Sequence, residues 1–212
     1  TIFPDNLGNT NFISPVNLGI SNVSTVSVFQ SNAVIVKTDG TLWVWGLNTN
    51  GQLATGDTLN RSSAVQVGTD TNWIFATAGL NAFYAIKSDK TLYTWGLNSY
   101  GQLGYTNNTV NRSSPVQVPG SYSLVSASAS YAAFIKTDST LWMTGYNVNG
   151  QLGLNDAINR SSPVQVAGSY STVITPNANM TYVLTADKTV FGWGLNNSGT
   201  LAAGDQVARS SP

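Results

Sequence analysis

Apolar and polar positions in this chain come in short runs separated by turn residues, without the 3.6-residue rhythm of an amphipathic helix. In 33–46, "AVIVKTDGTLWVWG", two apolar runs flank Thr38-Asp39-Gly40. Such runs on either side of an Asp-Gly predict two antiparallel strands joined by a tight turn. Trp43 and Trp45 stand two apart and so share one strand face. The equivalent pairs further along are Tyr93/Trp95, Trp142/Thr144 and Phe191/Trp193. A large aromatic at the same place in each unit, on a face that one hairpin cannot bury alone, predicts a core formed between neighbouring sheets.

The pattern repeats along the whole chain. "GQL" stands at 51–53, 101–103 and 150–152, with "GTL" at 199–201, giving intervals of 50, 49 and 49 residues. Trp45-Gly46, Trp95-Gly96 and Trp193-Gly194 keep this period, with Thr144-Gly145 as the variant. Turn aspartates recur at Asp39, Asp89, Asp138 and Asp187, and arginines before Ser-Ser at Arg61, Arg112, Arg160 and Arg209. Four units result, 14–62, 63–113, 114–161 and 162–210, in one β-propeller region spanning 1–212. Within each, Asn48-x-x-Gly51-Gln52-Leu53 and its equivalents are turn chemistry, since Asn and Gly adopt backbone conformations that other residues resist. Pro115 in "NRSSPVQV" (111–118) marks a short strand or a sheet edge. Short strands, tight turns and a period near 49 predict an all-β fold of four β-propeller blades; a solenoid would repeat in shorter units.

The run "LYTWGLNSYGQLG" (92–104), preceded by "ATAGLNAFYAIKSD" (76–89) and followed by "SSPVQV", resembles the repeats of the regulator of chromosome condensation family. The family unit reads Ala-Gly-x-x-His, then Asp-Gly-x-aromatic-x-Trp-Gly-x-Asn-x-x-Gly-Gln-Leu-Gly, then Pro-x-x-Val. The likeness extends over all four units. It implies a seven-blade ring of which these units form a part. Two other closures are open: a four-blade ring in which the N-terminal "PVNL" strand pairs with the last unit, and several chains completing one ring. The family's founding activities are nucleotide exchange on a small GTPase and nucleosome docking, and the resemblance also reaches a secreted β-lactamase inhibitor. This chain departs from the family in lacking the repeat histidine everywhere, in keeping Ala-Gly only at Ala78-Gly79, and in placing Thr144 where Trp is expected.

Composition narrows the chemistry. Hydrophobic residues make up 42% of the 212, ample for a core, whereas charged residues make up 8% and histidine and cysteine are absent. Without imidazole or thiol there is no conventional triad and no zinc site. Fourteen of the eighteen charged side chains recur at fixed repeat positions, adding Lys37, Lys87, Lys136 and the loop aspartates Asp57, Asp156 and Asp205 to those above. One active site per ring needs one exceptional blade, and none stands out, so the chain is expected not to be an enzyme and to need no cofactor. One carboxylate per loop falls short of a calcium site. A formal net charge of zero supplies no basic face for nucleic acid, which disfavours chromatin binding. No apolar run reaches the roughly 18 residues of a membrane helix, and the start has neither the shape of a signal peptide nor an initiating Met, as in a processed or excised segment. Every acid is an aspartate, and this composition leans toward an extracellular or virion-surface protein.

Function is therefore sought on the loops, where copies differ. The arginines are expected to pair with loop aspartates, Asp57 with Arg61, Asp156 with Arg160 and Asp205 with Arg209, which leaves Arg112 beside Asn107-Asn108 without an acid. Tyr122 and Tyr170 recur in "GSYS" and belong to the scaffold, so Tyr100, Tyr105 and Tyr146 are the individual loop aromatics. Tyr100, Tyr105, Tyr146 and Arg112 are the candidate binding residues. The expected role is that of a protein-interaction or structural module, as in a phage tail or capsid accessory protein. A carbohydrate-binding adhesin using the loop tyrosines and a secreted enzyme inhibitor are the alternatives.

Overall fold

Five- to seven-residue strands separated by turns this short can only fold back on their neighbours, and the computed structural model has them do so four times. It describes residues 17–176 and 179–212. Blade 1 holds β1 (Val23–Phe29), β2 (Asn32–Lys37), β3 (Leu42–Gly46) and β4 (Arg61–Gln66). Blade 2 holds β5 (Trp73–Ala78), β6 (Ala82–Lys87), β7 (Leu92–Gly96) and β8 (Arg112–Val118). Blade 3 follows with β9 (Tyr122–Ala127), β10 (Tyr131–Lys136), β11 (Leu141–Gly145) and β12 (Arg160–Val166). Blade 4 has β13 (Tyr170–Ile174), β14 (Met180–Thr185) and β15 (Val190–Gly194). Strands lie in chain order within every antiparallel sheet. The fourth strand of blade 4 is reduced to one bridge, Gly194 with Arg209, equivalent to Gly46 with Arg61 in blade 1.

The β2–β3 turn is built as its sequence requires. Asp39 Oδ1 accepts from the Thr41 amide at 3.0 Å and from the Thr41 hydroxyl at 2.6 Å, and Asp89 and Asp138 repeat the arrangement. Pro115 and Pro163 sit in β8 and β12, edge strands whose missing amide leaves no ladder bond unmade. The unit 63–113 begins inside β4, so the sequence copies are out of phase with the sheets.

The core lies between blades. Val34, Val36, Leu42 and Val44 of blade 1 meet Phe83, Ala85 and Trp95 of blade 2. Ala82, Tyr84, Ile86 and Leu92 meet Ala132 and Phe134 of blade 3. Tyr131, Ala133, Ile135, Leu141 and Met143 meet Val183 and Trp193 of blade 4. Strands β6 and β10 are therefore buried on both faces, which is why "AFYAI" and "YAAFI" read as unbroken apolar runs. Trp95 and Trp193 are fully buried at these contacts, as the aromatic spacing predicts. The "PVNL" closure falls on Pro15 and Val16, outside the described residues; Asn17 and Leu18, which are described, are exposed and in no strand.

Candidate loop-face binding site

The connections from third to fourth strand, 47–60, 97–111, 146–159 and 195–208, are the longest loops of each blade. Each is folded around one buried asparagine. Asn48 Oδ1 accepts from the Leu53 amide at 2.8 Å, and its Nδ2 donates to the carbonyls of Asp57 and Leu59 at 3.0 and 3.1 Å. Asn98, Asn147 and Asn196 repeat the acceptor bond to Leu103, Leu152 and Leu201. A buried amide with its bonds made holds a loop that has no ladder of its own.

The expected ion pairs close three of the loops. Arg61 Nη2 lies 2.6 Å from Asp57 Oδ2 and Arg209 Nη2 lies 2.8 Å from Asp205 Oδ2, and Arg160 pairs with Asp156. The arginine beside Asp57 and beside Asp205 holds each carboxyl below its ordinary range, whereas for Asp156 the Ile158 amide contributes most. The other guanidinium nitrogen donates to the carbonyl two residues earlier, at Leu59, Ile158 and Val207, over 2.8, 2.7 and 2.7 Å. That bond fixes the backbone while the side chains of these residues stay outside: Leu59, Ile158 and Val207 are 66%, 64% and 59% exposed, and Val110 of blade 2 is 57% exposed. This row of aliphatic side chains was missed from sequence. Its signal was present, an apolar residue two before every arginine in "DTLNR", "NTVNR", "DAINR" and "DQVAR".

Blade 2 departs from the others. Its loop is one residue longer, and among the described residues Arg112 has no acid, as anticipated. Its guanidinium instead sits 4.6 Å above the Tyr105 ring, with Nε buried and unpartnered. The Tyr105 hydroxyl lies 2.7 Å from Asn108 Oδ1 and 2.9 Å from the Val110 carbonyl and donates to them. Tyr105 is only 6% exposed, so the expectation that it offers a ring to a partner is corrected: the phenol has taken over the arginine's task of tying down the carbonyl before the strand. Arg112 is committed to that ring and half-buried.

Tyr100 and Tyr146 do come together. Tyr100 at the loop tip of blade 2 and Tyr146 at the loop start of blade 3 form an edge-on pair, ring centroids 4.9 Å apart at 63°. Tyr100 is 41% exposed and the adjacent Val148 is 55% exposed. An open recess of about 420 Å³ between the loops of blades 3 and 4 is lined by Val148, Asp156, Arg209 and their neighbours, without either tyrosine. On the opposite edge Lys37, Lys87 and Lys136 lie over Trp43, Tyr93 and Trp142 at 4.3, 4.5 and 3.8 Å, which accounts for the repeated lysines as scaffold. Among the described residues no three acids converge on a metal-sized site, and no helix is long and apolar enough to cross a membrane.

Comparison with known proteins agrees with this architecture. A sequence model of the regulator of chromosome condensation (RCC1) repeat matches residues 89–134, and a second model of the same repeat matches 30–52 and 75–102. A search of the curated proteins found none that matches. Among solved structures, the chain superposes on yeast RCC1 (Prp20) bound to Kap60 with a TM-score of 0.79 at 14% identity, covering 90% of this chain and 48% of that one. Human WBSCR16 gives 0.79 at 21% identity, covering 90% and 52%. Prp20p from Saccharomyces cerevisiae, described with its binding to Gsp1p and histones, gives 0.77 at 15%, covering 90% and 49%. The chain thus spans about half the length of the solved propellers it matches. Its period, its blades and these matches agree: the chain is a β-propeller array in which residues 30–52 and 75–134 match the regulator of chromosome condensation repeat.

Proposed function

We propose that this array acts by binding a protein partner through its third-to-fourth-strand loop face, and that it does so without catalysis, on an exported or virion surface. The observation that carries the reading is the Tyr100–Tyr146 pair, held across two blades and flanked by exposed Val148. Aromatic side chains on preorganised loops supply contact area at little conformational cost, which is the profile of an interface anchor. The aliphatic row Leu59, Val110, Ile158 and Val207 extends the same kind of surface over all four blades. Prp20p, described with protein partners, supports the idea of a propeller as a docking platform, but at 15% identity its partners do not transfer. The low charge and the absence of glutamate support the exported setting.

The test is a photo-crosslinking amino acid at position 100, with identification of what it captures from the native source. Tyr100→Ala and Tyr146→Ala should each weaken binding to the captured partner by about tenfold or more, as loss of an anchor does, with an unchanged melting temperature for the exposed Tyr100. Binding that both variants leave intact would refute the reading. Saturable binding to a glycan, lost on Tyr100→Ala, would replace the protein partner with a carbohydrate. A captured hydrolase whose activity the chain suppresses would make it an inhibitor.

A further inference from the structure

Each interface between blades is organised around one loop carbonyl, that of the residue before the leucine which the loop asparagine caps: Gln52, Gln102, Gln151 and, in blade 4, Thr200. Between blades 1 and 2, Trp95 Nε1 donates to the Gln52 carbonyl at 2.9 Å; between blades 3 and 4, Trp193 Nε1 donates to that of Gln151 at 2.9 Å. The preceding blade leaves room for the indole, with Val34 and Ala133 at the facing position of its second strand. Blades 2 and 3 meet differently. That second-strand position holds Tyr84, whose hydroxyl donates to the Gln102 carbonyl at 3.0 Å. The following blade then carries Thr144 in place of Trp, and Thr144 Oγ1 bonds to the Gly101 carbonyl at 2.8 Å. Phenol and indole thus serve the same carbonyl from opposite sides of the interface, and each interface uses one of them.

Blade 4 repeats the blade 2 arrangement on a face that no described blade covers. Tyr182 occupies the Tyr84 position, and its hydroxyl donates to the Thr200 carbonyl at 2.6 Å. Its ring lies against Gly192, where an added Cβ would come within 2.9 Å of it. Beside it Val190 is 65% exposed, where Leu42, Leu92 and Leu141 of the other blades are fully buried, and Ile174 is 58% exposed, where Ser27, Thr77 and Ser126 are half-buried. We propose that this face is the docking surface for a further blade of the same repeat type, one carrying a small hydroxyl residue at the position of Trp193. Blade 1, from this chain or from a second copy, is the wrong partner, because the Tyr182 phenol, bonded to the Thr200 carbonyl, fills the space that the Trp45 indole would need to reach it. Of the closures open from sequence, a direct four-blade ring and a head-to-tail assembly of copies both require that contact.

The test extends the full chain after Pro212 with a copy of residues 116–166. Pro212 corresponds to Pro115, so the addition completes the outer strand of blade 4 and supplies a fifth blade with Thr144 facing Tyr182. A second version carries Thr144→Trp in the copied blade only. Hydroxyl-radical footprinting of Tyr182 and Leu184 reports docking. The threonine version should cut their labelling at least tenfold, and the tryptophan version should leave it as in the unextended chain. Tyr182→Ala, which makes blade 4 resemble blade 3 at Ala133, should reverse that order, so a tryptophan version that had merely failed to fold would be recognised. Equal protection by both versions, protection by neither, or self-association of the unextended chain that buries Tyr182 would each overturn the proposal.

Discussion

The interface between blades 2 and 3 lacks a hydrogen bond that its two neighbours possess, and one substitution can supply it. Gln52 Nε2 donates to Asn81 Oδ1 at 3.1 Å, and Gln151 Nε2 to Asn179 Oδ1 at 3.5 Å. Gln102 Nε2 is buried without a partner, since the residue equivalent to Asn81 is Ser130, whose side chain is too short to reach it. A buried donor left unmade costs about 1–3 kcal/mol, and a made bond returns about 1 kcal/mol net. Ser130→Asn brings a carbonyl oxygen to that donor, against which stands the ordering of a half-buried side chain with an amide of its own. The balance is a stabilisation of about 1 kcal/mol, which for a chain of 212 residues raises the melting temperature by about 2–4 °C. The mirror substitution, Asn81→Ser, recreates the orphan on Gln52 and should cost about 1–2 kcal/mol. Urea unfolding followed by tryptophan fluorescence measures both, because Trp95 and Trp193 are buried at blade contacts. If Ser130→Asn fails to raise the urea midpoint and Asn81→Ser fails to lower it, the carboxamide bridge does not hold the blades and the reasoning is wrong.

Other consequences are as direct. Asn147→Ala removes the acceptor for the Leu152 amide at 2.8 Å and the donor to Asp156 in a buried loop core, and should cost about 3 kcal/mol of stability by urea titration. Tyr105→Phe should lower stability by about 1 kcal/mol through the freed Val110 carbonyl while leaving partner binding unchanged; a binding loss without a stability loss would return Tyr105 to the interface. Acid should unfold the chain in one direction only. Asp57, Asp156 and Asp205, with the turn carboxyls Asp39, Asp89, Asp138 and Asp187, are all held below the ordinary value of 3.8. A depressed folded-state pKa contributes stability that is present above the unfolded value and lost as pH falls through the folded one. With no histidine to titrate in between, the urea midpoint should stay flat from neutral pH down to about pH 5 and drop only below about pH 4. A step near pH 6 would contradict this.

What the sequence disclosed and what it withheld divide along a physical line. The period, the turn aspartates, the buried tryptophans and the three Asp–Arg loops were legible because each depends on residues close in the chain or on one periodic face. Tyr105 was read as an available ring because its chain neighbours are polar. Its burial comes from joining the core between blades 2 and 3, with Arg112 laid over its ring, in a loop that one extra residue has reshaped, and no alternation of apolar and polar positions encodes that closure. The aliphatic row at Leu59, Val110, Ile158 and Val207 escaped for the opposite reason. Single apolar residues in loops look incidental until the arginine bond to their own carbonyls is seen to fix the backbone from which they project. The same argument applies to the substitution of Thr144 for Trp. Read along one strand it is a lost aromatic, yet read across the interface it answers Tyr84, which already holds the carbonyl an indole would use. In a repeat array the meaning of a variant position lies in the facing blade, one period away, and a deviation from the repeat marks a compensated contact before it marks a site of chemistry.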